Sequence, residues 1–185
     1  MAHDVFVSYA SKDKSVADAV VAGLEAAEIR CWCAPRDIAP GTSWGEAINA
    51  AIEGSRFMVI VLSAHSNRSS HVVREVERAV ANGVIIIPLR IEDITPTGAM
   101  AYFLSTEHWL DALTPPLKKH IHDLVGTIQR FMDGGEPELV EHQAPHRRRV
   151  SWKILGPAAV LIPMIVLAAI FIPRWLGGDE RILAD

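Results

Sequence analysis

Three apolar runs constrain this chain most: DVFVSY (Asp4 to Tyr9), FMVIVLS (Phe57 to Ser63) and VIIIPLRI (Val84 to Ile91). Each is rich in Val and Ile and apolar on both faces, the pattern of strands buried between two helical layers in a parallel sheet. A shorter run, IRCWC (Ile29 to Cys33), reads as a fourth strand. Helical patterns lie between them. Val16, Ala19, Val20 and Leu24 recur at helical spacing after Ser11, and Ser43 with Glu46 forms a capping-box pattern opening a helix over Trp44 to Ile52. A third helix carries Val72, Val73, Val76, Ala79 and Val80 on one side, and a fourth follows Pro115 with Leu117, Ile121, Leu124 and Ile128. The alternation of strand and helix predicts a doubly wound α/β domain.

In such a sheet ligands gather outside the carboxyl ends of the strands, which directs attention to the loops Ala10 to Asp13, Ala34 to Ser43 and Ala64 to Ser70. The first strand runs into ASKDK, with neither a phosphate-binding glycine loop nor a dinucleotide fingerprint. The third strand ends in Leu62 and Ser63, where a phosphoacceptor receiver domain needs an aspartate. His120 and His122 lie about 200° apart on a helix and no HExxH spacing occurs, so the eight histidines read as surface residues rather than metal ligands.

At 185 residues the chain has room for one domain of ordinary size. Its charge is uneven: residues 1 to 145 hold 12 Lys/Arg against 19 Asp/Glu, a net of −7, while residues 146 to 185 hold 6 against 3, a net of +3. The acidic body offers no electrostatic footprint for nucleic acid. Cys31 and Cys33 would share one face of a strand, a spacing that suits neither a disulfide, a redox motif nor a zinc site, so both are expected to be reduced packing residues. No secretory leader is expected at the N-terminus.

Taken together, DVFVSYASKD, IRCWCAPRDIAPGTSWGEAI, FMVIVLS and VVREVERAV resemble a bacterial Toll/interleukin-1 receptor (TIR) domain, over roughly Asp4 to Phe131. The resemblance implies a flavodoxin-like, doubly wound parallel five-stranded sheet. It implies that Ala34 to Ser43 is the BB loop, which mediates assembly and borders the ligand site. Some members of the family are interaction modules; others break the nicotinamide–ribose bond of NAD+, which is then a substrate and not a cofactor. The catalytic members carry a glutamate four residues after a tryptophan. Here the corresponding pair is His71 and Glu75, so the glutamate is present and the tryptophan is replaced.

At 100° per residue Glu75 flanks the apolar stripe of its helix, His71 sits 40° away on the same edge, and Glu77 flanks the other edge. Periodicity alone does not choose between the two acids; the family pattern chooses Glu75 as the catalytic residue. The plainer alternative is a solvated glutamate paired with Arg74 or Arg78. Trp44 falls near the family's aromatic loop contact and would stack on a base, or else is a core residue opening its helix. Arg36 and Asp37 contact substrate or simply stabilise the turn. His71, Ser8 and Ser11 complete the substrate-binding candidates, Ser11 being equally a helix cap.

From Ile154 to Ile172 the chain has no charged residue, and at about 1.5 Å per residue this run nearly spans a hydrocarbon core of about 30 Å. Trp152 and Trp175 flank it, Arg147, Arg148, Arg149 and Lys153 precede it, and only Arg174 and Arg181 follow. The positive-inside rule then places the body in the cytoplasm, and the basic stretch suits anionic lipid. Pro157 and Pro163 interrupt the run, which membrane helices tolerate. The expected organisation is a TIR domain over 1–133, a polar and basic linker over 134–151, a transmembrane helix over 152–175 and a short tail over 176–185.

The leading expectation is a membrane-tethered signalling enzyme that cleaves NAD+ on self-association. Its competitor is a noncatalytic adaptor that binds other TIR domains. A nucleoside deoxyribosyltransferase, which also uses a glutamate near a sugar, is disfavoured by the motifs of Ala34 to Ser43.

Overall fold

The computed structural model describes residues 3–105 and 109–134. The linker, the run Ile154 to Ile172 and the tail lie outside the described residues. Among those described, no helix is long and apolar enough to cross a membrane.

Five strands, β1 (Val5–Ser8), β2 (Cys31–Trp32), β3 (Phe57–Leu62), β4 (Ile85–Arg90) and β5 (Leu110–Asp111), form one parallel sheet in the order β2-β1-β3-β4-β5. Side chains alternate between its faces. Val5, Val7, Val59, Val61, Ile87 and Leu89 enter one core, which α1 (Lys14–Glu25) and α6 (Leu117–Met132) close with Ala17, Val20, Val21, Leu24, Ile121, Leu124, Val125 and Ile128. Phe6, Trp32, Met58, Ile60, Leu62 and Ile86 enter the other, beneath α2 (Trp44–Glu53), α4 (Ser70–Ala81) and α5 (Gly98–Phe103). All six residues of β3 are buried, because this central strand has a helical layer on either side. Doubly wound architecture and the first four strands thus follow the sequence pattern.

The proline in β4 is accommodated by register. Ile85 and Ile91 donate toward β3, to Arg56 O and Leu62 O, so odd positions face that neighbour. Pro88, at an even position, turns its missing donor to the other side, where β5 pairs only with Leu89 and Arg90. Arg90 anchors that short strand, donating to both carboxylate oxygens of Asp111 at 2.6 and 2.9 Å while its guanidinium stacks 5.2 Å from the ring of Trp109.

Four local expectations change. The segment after β3 is not a plain loop: Ser63 accepts from the backbone of His65 and Ser66, Ser66 returns a side-chain bond to Ser63 N, and this reciprocal cap starts a short helix, α3 (Ala64–Arg68). Ser43 occupies the N-cap position of α2, yet its side chain makes no capping bond, so the pattern with Glu46 is present in sequence only. Ser11 is exposed at the start of a 3-10 turn (Ser11–Asp13) and caps nothing. Val80 is 45% exposed, because α4 buries only the narrower stripe Val72, Val76 and Ala79.

Cys31 in β2 and Cys33 just after it are free and buried in the same core. Burial pushes the Cys31 thiol up to about 12 and raises that of Cys33.

Candidate active site

The strand order reverses between β1 and β3, so the crevice outside their carboxyl ends is the switch point where ligands bind in open α/β sheets. Ser8 is the last residue of β1 and, sharing its face with Phe6, points toward the layer of α2 and α4. There its Oγ donates a 2.6 Å hydrogen bond to Oε2 of Glu75. Glu75 sits in the middle of α4 beside the buried stripe and is half-buried. Burial pushes its carboxyl up to about 7, while the Ser8 hydrogen bond and the nearby Arg74 charge pull the other way.

The solvated alternative for Glu75 does not match this geometry. Arg78 reaches across to Glu53 of α2 at 2.7 Å, and the Nη2 of Arg74 lies 3.3 Å from Nδ1 of His71. Glu77 is exposed and, among the described residues, has no partner. The two acids that sequence periodicity leaves equivalent therefore differ in environment. His71 is exposed one turn before Glu75.

The residue that follows β1 braces a different wall. Tyr9 Oη donates to the carbonyl of Ala34 at 2.6 Å, fixing the start of the loop after β2. Arg36 and Asp37 hold that loop from within. Arg36 pairs with Asp37 and with Glu25 of α1, both at 2.8 Å, and donates to the Cys31 carbonyl. Asp37 Oδ2 accepts from the backbone of Cys33 at 2.8 Å. The pair thus locks the turn with atoms that a ligand would otherwise use.

Beyond Ile38 the loop is exposed as far as Trp44. Trp44 itself is 55% exposed at the first turn of α2, which excludes its reading as a core residue. A large aromatic ring left in solvent at a sheet's carboxyl edge is available for stacking or for a partner surface.

Ser63 and Asp13 form a buried pair at the end of β3. Ser63 Oγ donates to Asp13 Oδ2 at 2.6 Å, tying the loop after β1 to the end of β3, and Glu92 Oε2 accepts from the backbone of Ala64. Tyr9, Asp13, Ser63 and Arg74 are absent from the candidates drawn from sequence. Their partners lie far away in the chain or, for Arg74, depend on which way a surface side chain turns. No periodicity or spacing signals them.

Among the described residues, no group of three His, Cys, Asp or Glu is arranged to hold a metal ion. The arrangement instead offers one half-buried carboxylate held by a single serine hydroxyl, with an exposed cation next to it in sequence and an exposed aromatic ring at the start of α2.

Comparison with known proteins agrees with this architecture. The family model for the TIR domain matches residues 5–125. The chain is similar to the crystal structure of the TIR domain of the Toll-related receptor TRR-2 from Hydra magnipapillata, with 26% identity and a TM-score of 0.59 over 69% of this chain and 98% of that one. It is also similar to the TIR domains of the activated Roq1 resistosome directly recognizing the pathogen effector XopQ, with 18% identity and a TM-score of 0.58 over 68% of this chain and 99% of that one. At that identity the second likeness concerns the fold alone. A comparison with curated protein sequences finds no match.

Proposed function

The chain belongs to the TIR-domain family, and from that premise we propose that it is a membrane-tethered signalling enzyme whose associated TIR domains cleave NAD+ at the nicotinamide–ribose bond. The observation that carries this reading is the inward turn of Glu75 to Ser8 at the switch point of the sheet. A surface glutamate kept only for solubility has no reason to lose solvent there.

The chemistry needs little else. As the bond between the ribose C1 and the pyridinium nitrogen breaks, its electron pair neutralises the ring, and nicotinamide leaves without a general acid. This differs from cleavage of an ordinary glycoside, whose leaving oxygen usually takes a proton. The ribose acquires oxocarbenium character, which an adjacent ionised carboxylate stabilises most strongly where water is scarce. Water then adds to C1 and releases a proton, giving ADP-ribose. Ser8 holds the carboxylate in place before substrate arrives, and a ribose hydroxyl is chemically equivalent to the serine hydroxyl as its donor. Trp44 supplies a face for a base, and Ser11, Arg36 and Asp37 border the entrance.

Tethering follows from Ile154 to Ile172 and the basic residues before it, with the TIR body cytoplasmic. Confinement to a bilayer raises the effective concentration of domains and so favours self-association. The test is to incubate the full-length protein, on vesicles and at high density, with NAD+ and to follow nicotinamide. Release by the parent and none by Glu75→Gln supports the reading.

The exposed Trp44, beside a loop exposed from Ala39 to Ser43, favours a second reading, a noncatalytic adaptor that binds other TIR domains. A parent that assembles on vesicles yet leaves NAD+ intact selects it.

A further inference from the structure

Arg74 stands beside Glu75 on α4. Arg30, Arg36, Arg78 and Arg90 each hold a carboxylate at 2.6 to 2.9 Å. Among the described residues Arg74 makes no such pair; its only hydrogen-bond neighbour is the ring of His71 at 3.3 Å. On the helical wheel Arg74, His71 and Glu75 follow one another across about 100°, with Glu75 against the buried stripe and Arg74 in solvent. One face of α4 therefore grades from a half-buried carboxylate to an open guanidinium. The two are close enough for the Arg74 charge to act on the Glu75 carboxyl, yet Glu75 bonds Ser8 instead and leaves the guanidinium fork unfilled.

The charge of the surrounding body sharpens the question of what that fork is for. A body of net −7 repels a phosphorylated substrate, so a dinucleotide must meet a local cation to settle there. The nicotinamide ribose is joined to the diphosphate through its 5′ carbon, so the phosphates lie within a few bonds of the ribose that Glu75 addresses, and Arg74 is the cation next to Glu75 on the exposed side of α4. Guanidinium binds phosphate oxygens in pairs, which an ammonium does not.

We propose that Arg74, braced by His71, is the specificity residue that receives the diphosphate of the dinucleotide while Glu75 addresses its nicotinamide ribose. This deepens the NAD+ reading and rests on it.

The experiment compares full-length parent, Arg74→Gln and Arg74→Lys on NAD+ and on nicotinamide riboside, which has the scissile bond and no phosphate. Assayed well above pH 7, where the Glu75 carboxylate is ionised with or without the Arg74 charge beside it, loss of a charge-assisted phosphate contact raises KM for NAD+ by about tenfold or more in Arg74→Gln and leaves kcat nearly unchanged. Cleavage of the riboside stays at the parental level, and Arg74→Lys regains part of the NAD+ affinity. An equal loss on both substrates, or no loss on NAD+, overturns the proposal. Calorimetric titration of ADP-ribose into parent and Arg74→Gln separates this subsite from the cleavage reading. Arg74-dependent ADP-ribose binding by a parent that cleaves nothing leaves the subsite standing and removes the enzyme. Cleavage of NAD+ that is indifferent to Arg74 does the reverse, and a parent that binds no ADP-ribose overturns the subsite.

Discussion

Ser8 and Glu75, 67 residues apart in sequence, meet through a 2.6 Å hydrogen bond that turns a helix carboxylate inward to the end of the first strand. Glutamine keeps the shape of that side chain and an oxygen that still accepts from Ser8, so Glu75→Gln removes a charge without opening a cavity. If the carboxylate stabilises a cationic transition state, its loss costs roughly 3 kcal/mol or more, a hundredfold or greater in rate. Glu77→Gln, at an exposed site on the other edge of α4, should leave nicotinamide release within about twofold of the parent, since it removes no contact. Parental rates in both variants would remove Glu75 from the mechanism.

The same burial gives a pH signature. Glu75 titrates near its ordinary 4.5 in the unfolded chain and near 7 in the folded one. Between those values the folded state holds more proton, so this group's contribution to stability is full below about 4.5 and is lost as pH rises through 7. Glutamine does not titrate. Glu75→Gln should therefore match the parent near pH 4.5 and exceed it at pH 8, by roughly 1 kcal/mol after discounting for solvent screening at a half-buried site. Thermal unfolding of both proteins at the two pH values measures the difference. Cleavage moves oppositely in the parent, rising with pH toward a plateau above 7 as the carboxylate ionises.

Residue by residue, the sequence was most legible where an element is long and its pattern unopposed. β3 and β4 announce themselves as Val- and Ile-rich runs, and α1 and α6 by their 3.6-residue stripes. β5 was not visible, because two residues, Leu110 and Asp111, carry no periodicity, and their pairing depends on Arg90 reaching Asp111 across 21 positions. α5 and α3 are short as well, at six and five residues, and α3 owes its existence to a serine pair that also reads as loop. In the candidate site, periodicity left Glu75 and Glu77 equivalent, and only the family pattern separated them. Their different surroundings are a tertiary fact, set by how α4 lies over β1. For Arg36 and Asp37 the turn-stabilising alternative is the one with visible partners, again because Glu25 and the backbone of β2 are brought to them by the fold.

Helix propensity and packing oppose each other at Gly23. Alanine in a helix interior is favoured over glycine by about 1 kcal/mol. A Cβ at Gly23, however, would overlap Cγ2 of Ile121, where α1 crosses α6. Ile121 is buried and branched at Cβ, so it has little rotamer freedom with which to retreat. Overpacking of this kind costs about 1 to 3 kcal/mol, so Gly23→Ala should destabilise the domain by roughly 1 kcal/mol net. Gly23→Ala combined with Ile121→Val should not recover the loss, because valine retains both Cγ positions. Chemical denaturation checks both; a stabilised Gly23→Ala would mean that the α1–α6 contact is looser than described.

A final expectation concerns the membrane. The uncharged run from Ile154 to Ile172 is long enough to cross a hydrocarbon core, and the four basic residues between Arg147 and Lys153 face only Arg174 and Arg181 beyond it. Among the described residues the TIR fold has two cores, the first of which α6 closes with Ile121, Leu124, Val125 and Ile128. The full-length chain should therefore sediment with membranes, and a chain ending near Phe131 should stay in the supernatant with its fold retained. Orientation is read separately: protease added to sealed inside-out cytoplasmic vesicles should remove the TIR body. Full-length protein in the supernatant would defeat the anchor. A body protected in those vesicles would reverse its orientation and separate it from a cytoplasmic supply of NAD+.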